Sequence, residues 1–121
     1  MTNENGKISS YKDLIVWQKA MQLAEDVYRI TRELPVNERF GLVSQMTRSA
    51  VSVPSNIAEG TGRGTRKEYA KFLKISRGSL FELETQINLI GKIYSVNISK
   101  PISDLTEISK MLCAIINKLE S

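Results

Sequence analysis

The sequence predicts an all-α protein, an antiparallel up-down-up-down bundle of four helices with a long third helix and a proline-kinked second helix. Apolar residues recur at spacings of three and four over most of the chain, which is the period of an amphipathic helix. No alternating run is long enough to indicate a strand. Short polar segments containing proline or glycine separate the periodic stretches, and helices joined by short loops pack most simply as antiparallel neighbours.

The chain has 121 residues, of which 41% are apolar and 25% charged, as in a soluble globular domain. We expect residues 1–9 to form a flexible N-terminus, because they are polar and lack periodicity, and residues 10–121 to form one domain. No apolar run approaches the ~18 residues of a membrane span. The single cysteine, Cys113, cannot form an internal disulfide. We therefore predict a cytoplasmic protein without a membrane partner.

The first helix is predicted to extend from about Ser10, as its N-cap, to Leu34. Pro35 then stops it, because a residue before proline avoids helical dihedral angles. Apolar side chains lie on more than one stripe of this helix, and the second stripe indicates a contact between subunits. The main seam comprises Val16, Ala20, Leu23, Val27, Ile30 and Leu34.

The second helix is predicted over about Glu38–Glu59, with Asn37 as its N-cap. Pro54 lies inside this stretch. Proline removes one intrahelical hydrogen bond and clashes with the preceding turn, so we expect a kink. Two helices meeting at Pro54 are the alternative, but the apolar stripe continues through Ile57 and favours a kink.

A glycine-rich turn separates the second helix from the third, which is predicted from about Thr65 to Ser95. Thr65 and Glu68 have the spacing of a capping box. The fourth helix is predicted to begin at Ser103, after a loop that contains Pro101. Its apolar seam is predicted to consist of Leu105, Ile108, Leu112, Ile115 and Leu119.

A polar stripe lies beside the apolar stripe of the second helix. We interpret it as an internal network with an Arg–Glu pair that fixes the register of the helices. Catalysis is the alternative, because carboxylates and arginines also serve acid–base chemistry. The chain has no histidine, which excludes a histidine base and imidazole metal ligands. We expect no enzymatic activity, metal or cofactor, and a structural network of Gln45, Arg48, Asn56, Glu59 and Glu82.

Positive charge is concentrated in residues 63–100, which contain eight basic and three acidic side chains, a net of +5. On the third helix the lysines point away from the predicted buried face. Such a row of cations can bind phosphates and release counterions, although a solvated helix face is the common alternative. The predicted nucleic-acid-binding residues are Arg63, Arg66, Lys67, Lys71, Lys74 and Arg77.

The segment Gln-Met-Thr-Arg-Ser-Ala-Val-Ser-Val-Pro-Ser-Asn-Ile-Ala-Glu-Gly, residues 45–60, resembles the signature of the four-helix-bundle proteins encoded in intervening sequences of bacterial 23S rRNA genes. The resemblance extends over most of the chain. Proteins of this kind, and the related accessory proteins of diversity-generating retroelements, form compact bundles that assemble into rings, often of five subunits, with a basic surface. The resemblance therefore implies a bacterial homo-oligomer, such as a pentamer.

These features together predict a non-enzymatic, homo-oligomeric bundle that binds structured RNA, or DNA, with low specificity through the basic face of the third helix. The alternative is a protein-interaction scaffold, for example an accessory subunit of a reverse transcriptase. An RNA-processing enzyme is the least favoured interpretation, because no tuned general base is apparent.

Overall fold

A computed structural model describes residues 10–121, so the predicted flexible segment 1–9 lies outside the described residues. Within residues 10–121 the chain forms α-helices and short 3₁₀ turns but no strand, which confirms the all-α class. The four α-helices are α1 (Ile15–Thr31), α2 (Leu42–Thr61), α3 (Arg66–Ile93) and α4 (Ser99–Glu120).

The start of α1 differs from the prediction. The Ser10 hydroxyl oxygen accepts a hydrogen bond from the backbone amide of Lys12 at 3.0 Å, so Ser10 caps the short 3₁₀ turn Tyr11–Asp13 instead. Leu14 then adopts an extended backbone, with ψ 125°, and this interrupts the helical path before α1 begins. The helix also ends slightly before Leu34, by an amount that is usual for helix termini.

The predicted cap of the second helix was wrong. Asn37 lies inside a 3₁₀ turn, Val36–Glu38, and α2 begins only after Gly41. Local sequence suggested a cap here because asparagine is a frequent N-cap residue. In the structure, however, Asn37 is part of the tight turn that follows Pro35, so it does not precede a helix directly. Pro54 is buried within α2, which continues through it as one helix, while the kink itself stays a prediction.

The starts of α3 and α4 are determined by different local residues. Thr65 caps α3 as predicted, since its hydroxyl oxygen accepts the backbone amide of Glu68 at 3.1 Å. Gly64 precedes it with φ +86°, a left-handed conformation that glycine adopts without penalty. The predicted start of α4 at Ser103 was late, because Pro101 lies inside the first turn, where its missing amide has no helical partner to lose.

One hydrophobic core joins all four helices, with buried residues such as Leu23, Met46, Leu83 and Leu112. The predicted main seam of α1 is buried throughout. On α4, Ile116 occupies the core position that was predicted for Ile115, which is only half-buried. The change reflects the true helical period of 3.6 residues, because a strict seven-residue repeat drifts around a straight helix.

Each helix packs against two others: α1 and α3 each contact both α2 and α4. Two buried or half-buried hydrogen bonds join α2 to α3. The Ser76 hydroxyl donates to the Val53 carbonyl at 2.8 Å, and the Ser52 and Ser79 hydroxyls share a hydrogen bond of 2.7 Å. The residue number thus falls along α2 as it rises along α3.

A buried carboxylate joins α1 to α4. Asp26 accepts a hydrogen bond from Lys100 Nζ at 2.7 Å and another from Gln22 Nε2 at 3.1 Å, and it pairs with Arg29. Burial by itself raises the pKa of Asp26, but the hydrogen bonds and the positive charge of Lys100 outweigh it, so the pKa lies below its ordinary value. The ionised carboxylate is therefore the form that the fold stabilises.

Replacing Asp26 by asparagine is expected to lower the free energy of unfolding by about 1–3 kcal/mol near pH 7, because charge-assisted hydrogen bonds are lost from a buried position. Since the pKa of Asp26 is lower in the folded than in the unfolded chain, its stabilising contribution is present above the unfolded pKa and disappears as the pH falls through the folded pKa. Urea denaturation of both proteins at about pH 7 and about pH 3 would show the difference shrinking in acid.

The control for this substitution is Asp104→Asn, which removes the more exposed partner of Lys100, at 2.9 Å. Its effect should stay below about 1 kcal/mol, as for most surface ion pairs. A difference between wild type and Asp26→Asn that is unchanged by pH would contradict the interpretation.

Candidate nucleic-acid interface

The six cations predicted to bind nucleic acid lie on the first half of α3 and in the turn before it. Five are exposed, and Arg77 is half-buried. The helix is positioned by apolar residues on its opposite side, among them Leu73, Leu80 and Leu83, which are fully buried in the core. The structure therefore leaves this cationic side of α3 on the surface.

Four of the six cations contact other parts of the chain. Arg63 forms an ion pair with Glu59 at 3.0 Å, and its guanidinium lies over the Phe72 ring at 4.6 Å from the centroid. Arg66 donates to the backbone carbonyl of Lys118 at 2.7 Å, which satisfies a carbonyl at the C-terminal end of α4. These contacts hold both guanidinium groups beside the ends of α2 and α4.

The remaining two engaged cations also contact α4. Lys74 forms an ion pair with Glu120, in which both side chains are about half exposed. Arg77 Nη1 lies 3.8 Å from Cys113 Sγ, a weak hydrogen bond. Exposed ion pairs of this kind contribute only about 0–1 kcal/mol, so an incoming phosphate can replace the carboxylate at little cost.

The side chains of Lys67 and Lys71 are exposed. Within residues 10–121 neither side chain forms a hydrogen bond or an ion pair. With Lys74 they border a groove of about 670 Å³, whose other lining residues are Glu68, Ile75 and Glu120. Because no carboxylate in the described chain pairs with Lys67 or Lys71, only the helix fixes the position of these two side chains. This part of the face is the freest to bind an anion.

The predicted internal polar network is not internal. Gln45, Arg48, Glu59 and Glu82 are exposed, and Glu59 pairs with Arg63 rather than with a buried arginine. Asn56 is half-buried, and its amide donates within α2, to the carbonyl and hydroxyl of Ser52 at 2.9 and 3.0 Å. The prediction placed this polar stripe of α2 inside the bundle. It was wrong because the neighbouring apolar stripe occupies the core, so the polar residues face outward.

Part of this polar set does meet at the surface between α2 and α3. Gln45, Arg48 and Glu82 line a pocket of about 310 Å³ together with Gln86. Within residues 10–121 the Gln86 side-chain oxygen is buried without a hydrogen-bond partner. Because that oxygen is shielded from solvent, it offers no direct contact to a ligand.

An apolar groove of about 650 Å³ runs between α1 and α2. Exposed Met21, Tyr28 and Val51 line it, beside the half-buried Trp17. The turn after α1 carries two further exposed apolar side chains, Val36 at 87% and Phe40 at 89%.

Sequence reasoning missed the exposed apolar residues on α3. Ile75 and Phe81 lie on the solvent side of the helix, with 42% and 50% of their surface exposed. Their positions were detectable, because Phe81 follows Lys74 by seven residues and so falls on the same side as the lysines.

None of the helices in residues 10–121 combines the length and apolar content needed to cross a membrane. In the same part of the chain no three cysteine, aspartate or glutamate side chains come close enough together to hold a metal ion.

No curated protein matches the chain. A solved structure that resembles it is that of a protein with unknown function from the S23 ribosomal protein family of Bacteroides thetaiotaomicron VPI-5482. The two sequences are 28% identical, the TM-score is 0.74, and the match covers 84% of this chain and 98% of the other. A sequence profile of the 23S rRNA-intervening sequence protein matches residues 12–114. The chain therefore belongs to the family of 23S rRNA-intervening sequence proteins.

Proposed function

We propose that the chain is a non-enzymatic, homo-oligomeric protein that binds structured RNA through the cationic side of α3. The observation that carries the proposal is the pair of exposed lysines, Lys67 and Lys71, which have no partner within residues 10–121. They lie one helical turn apart, about 6 Å along the axis, so both reach the same stretch of a ligand. Phosphate groups are the anions that such a row binds with a gain in counterion entropy.

The surrounding cations would add to this contact. In the described part of the chain Lys74 is held only by the exposed carboxylate of Glu120, and a phosphate can take the place of that carboxylate. Arg63 and Arg66 lie beside the row and present further donors. Recognition of this kind depends on phosphate position and on the shape of the RNA rather than on base sequence.

Assembly of several copies would strengthen a weak site. We infer the up-down-up-down order of helices from the opposite run of residue numbers in the pairs that join α2 to α3, α3 to α4 and α1 to α4. The α1–α2 groove is open to solvent, because Met21, Tyr28 and Val51 in its lining are exposed. The apolar lining of the groove and the exposed Phe40 support a contact with a second copy of the chain. A ring, such as a pentamer, would repeat the lysine row and raise the avidity for RNA.

The proposal is tested by titrating a fluorescent structured RNA with the protein at several salt concentrations, with light scattering to measure the mass of the protein. We expect the logarithm of the affinity to fall with the logarithm of salt concentration with a slope of about −2 or steeper, as two or more neutralised phosphates require. An absence of binding at low salt would sink the RNA-binding proposal. A monomeric mass would sink the proposed assembly.

A protein-interaction scaffold is the second candidate, and one observation favours it. Val36 and Phe40 are almost completely exposed although both are apolar, which is typical of a protein contact. An accessory subunit of a reverse transcriptase would use such a contact. Recovery of one specific protein partner after nuclease treatment, together with a failure to bind RNA, would favour this function.

A further inference from the structure

The solvent side of α3 contains a glycine that nothing in the described chain requires. A β-carbon at Gly78 would meet no atom within 4 Å, whereas one at Gly60 would lie 2.9 Å from Phe72 Cβ. Gly78 is also not among the residues with positive φ in residues 10–121. Neither packing nor backbone conformation explains why an unfavourable helix residue stands in the middle of the longest helix.

Gly78 lies between a cation and an aromatic ring on one side of the helix. Lys67, Lys74 and Phe81 follow one another at intervals of seven residues, so they form a row with steps of about 10.5 Å. The absent side chain of Gly78 leaves bare backbone beside this row, one turn after Lys74. Phe81 next to it keeps 50% of its surface exposed.

The chemistry of this row matches single-stranded nucleic acid better than it matches a protein helix. An apolar helix laid along the row would bury the ammonium group of Lys67, which has no partner within residues 10–121, and would cover the Lys74–Glu120 ion pair, which is costly. A single strand offers phosphates and flat base faces in alternation, and a phenylalanine ring stacks on any base. A continuous duplex hides those faces in its own stack, so only the unpaired part of a structured RNA fits.

We propose that Phe81 stacks on an unpaired base of the RNA, with the bare backbone at Gly78 giving room for the nucleotide and Lys74 holding its phosphate. The inference rests on the RNA-binding function proposed above and names the part of the RNA that this face binds. The ligand is thus a loop or bulge, and the lysine row binds the adjoining backbone.

The test uses an RNA hairpin with 2-aminopurine in its loop, and a blunt duplex of the same stem. Phe81→Ala is expected to weaken hairpin binding about tenfold, because stacking of one base on an aromatic ring contributes that much, and to change duplex binding less than about twofold. The fluorescence change of 2-aminopurine on binding should be lost with Phe81→Ala and retained with Phe81→Trp, which keeps a ring.

Leu89→Ala is the matched control, since Leu89 is also exposed on α3 at 42% but lies beyond the row of cations. It should leave both affinities unchanged. Equal hairpin binding by wild type and Phe81→Ala would overturn the stacking while the RNA-binding proposal stands. Binding of neither RNA by the wild type would overturn both. A changed oligomer mass with parallel losses for hairpin and duplex would identify Phe81 as a contact between copies and also overturn the inference.

Discussion

Replacing Gly60 by alanine is expected to lower the free energy of unfolding by about 2 kcal/mol, although alanine is the better helix former. Gly60 is buried near the end of α2, and a β-carbon there would lie 2.9 Å from Phe72 Cβ and 3.3 Å from the Tyr69 carbonyl oxygen. Both neighbours are attached rigidly to α3, so the two helices would have to move apart. Urea denaturation monitored by circular dichroism measures the change.

The same substitution at two other helical glycines provides the controls. Gly78→Ala should raise the stability by about 1 kcal/mol, because a methyl group there meets no atom of residues 10–121 within 4 Å and the helix propensity improves. Gly91→Ala should have a small effect, since the nearest atom, at 2.8 Å, is the flexible end of Ile98. If all three variants changed stability in the same direction, close packing of α2 on α3 at Gly60 would not be the cause.

Reversing the charge of both Lys67 and Lys71, to glutamate, is expected to weaken RNA binding about 100-fold at low salt. Each charge-assisted contact with a phosphate contributes about 1.5 kcal/mol, which is about tenfold in affinity, and the new carboxylates would repel the backbone. The slope of the logarithm of affinity against the logarithm of salt concentration should become shallower, by the amount expected for the loss of about two phosphate contacts. The thermal midpoint should change little, because both side chains are exposed and unpaired within residues 10–121.

The matched control is the double variant Lys12→Glu/Lys110→Glu, which changes the net charge by the same amount. Both lysines are exposed, and neither lies on α3. This variant should bind RNA nearly as well as the wild type. Similar losses in both double variants would show that total charge, rather than the α3 row, governs binding.

The local parts of the fold were predictable because they depend on neighbouring residues. The Thr65 cap follows from a hydroxyl three residues before an available amide, and the main seam of α1 follows from helical spacing. Predictions failed where several local solutions compete. Asn37 can cap a helix or sit in a 3₁₀ turn, and only the path of the chain from α1 to α2 selects the turn.

The position of the candidate site was predictable, but the ion pairs and hydrogen bonds of its side chains were not. The heptad-like spacing of Lys67, Lys71 and Lys74 placed them opposite the core side of α3, where the structure also has them. The partners of Lys74 and Arg66 could not be read from spacing, because Glu120 and the carbonyl of Lys118 come from the far end of the chain. The same limit applied to the polar stripe of α2, which was placed inside although Arg48 is exposed.

By itself the sequence determined that the chain is all-α, which side chains of α1 enter the core, and where the positive charge is concentrated, since helical period and charge are properties of short stretches. Only the tertiary structure decided which cations remain unpaired within residues 10–121 and that the polar stripe of α2 faces outward. It also decided that, in the same part of the chain, a β-carbon would have free space at Gly78 but would collide with α3 at Gly60. These outcomes depend on atoms that the fold brings together from different helices, so the spacing of residues along a single helix cannot predict them.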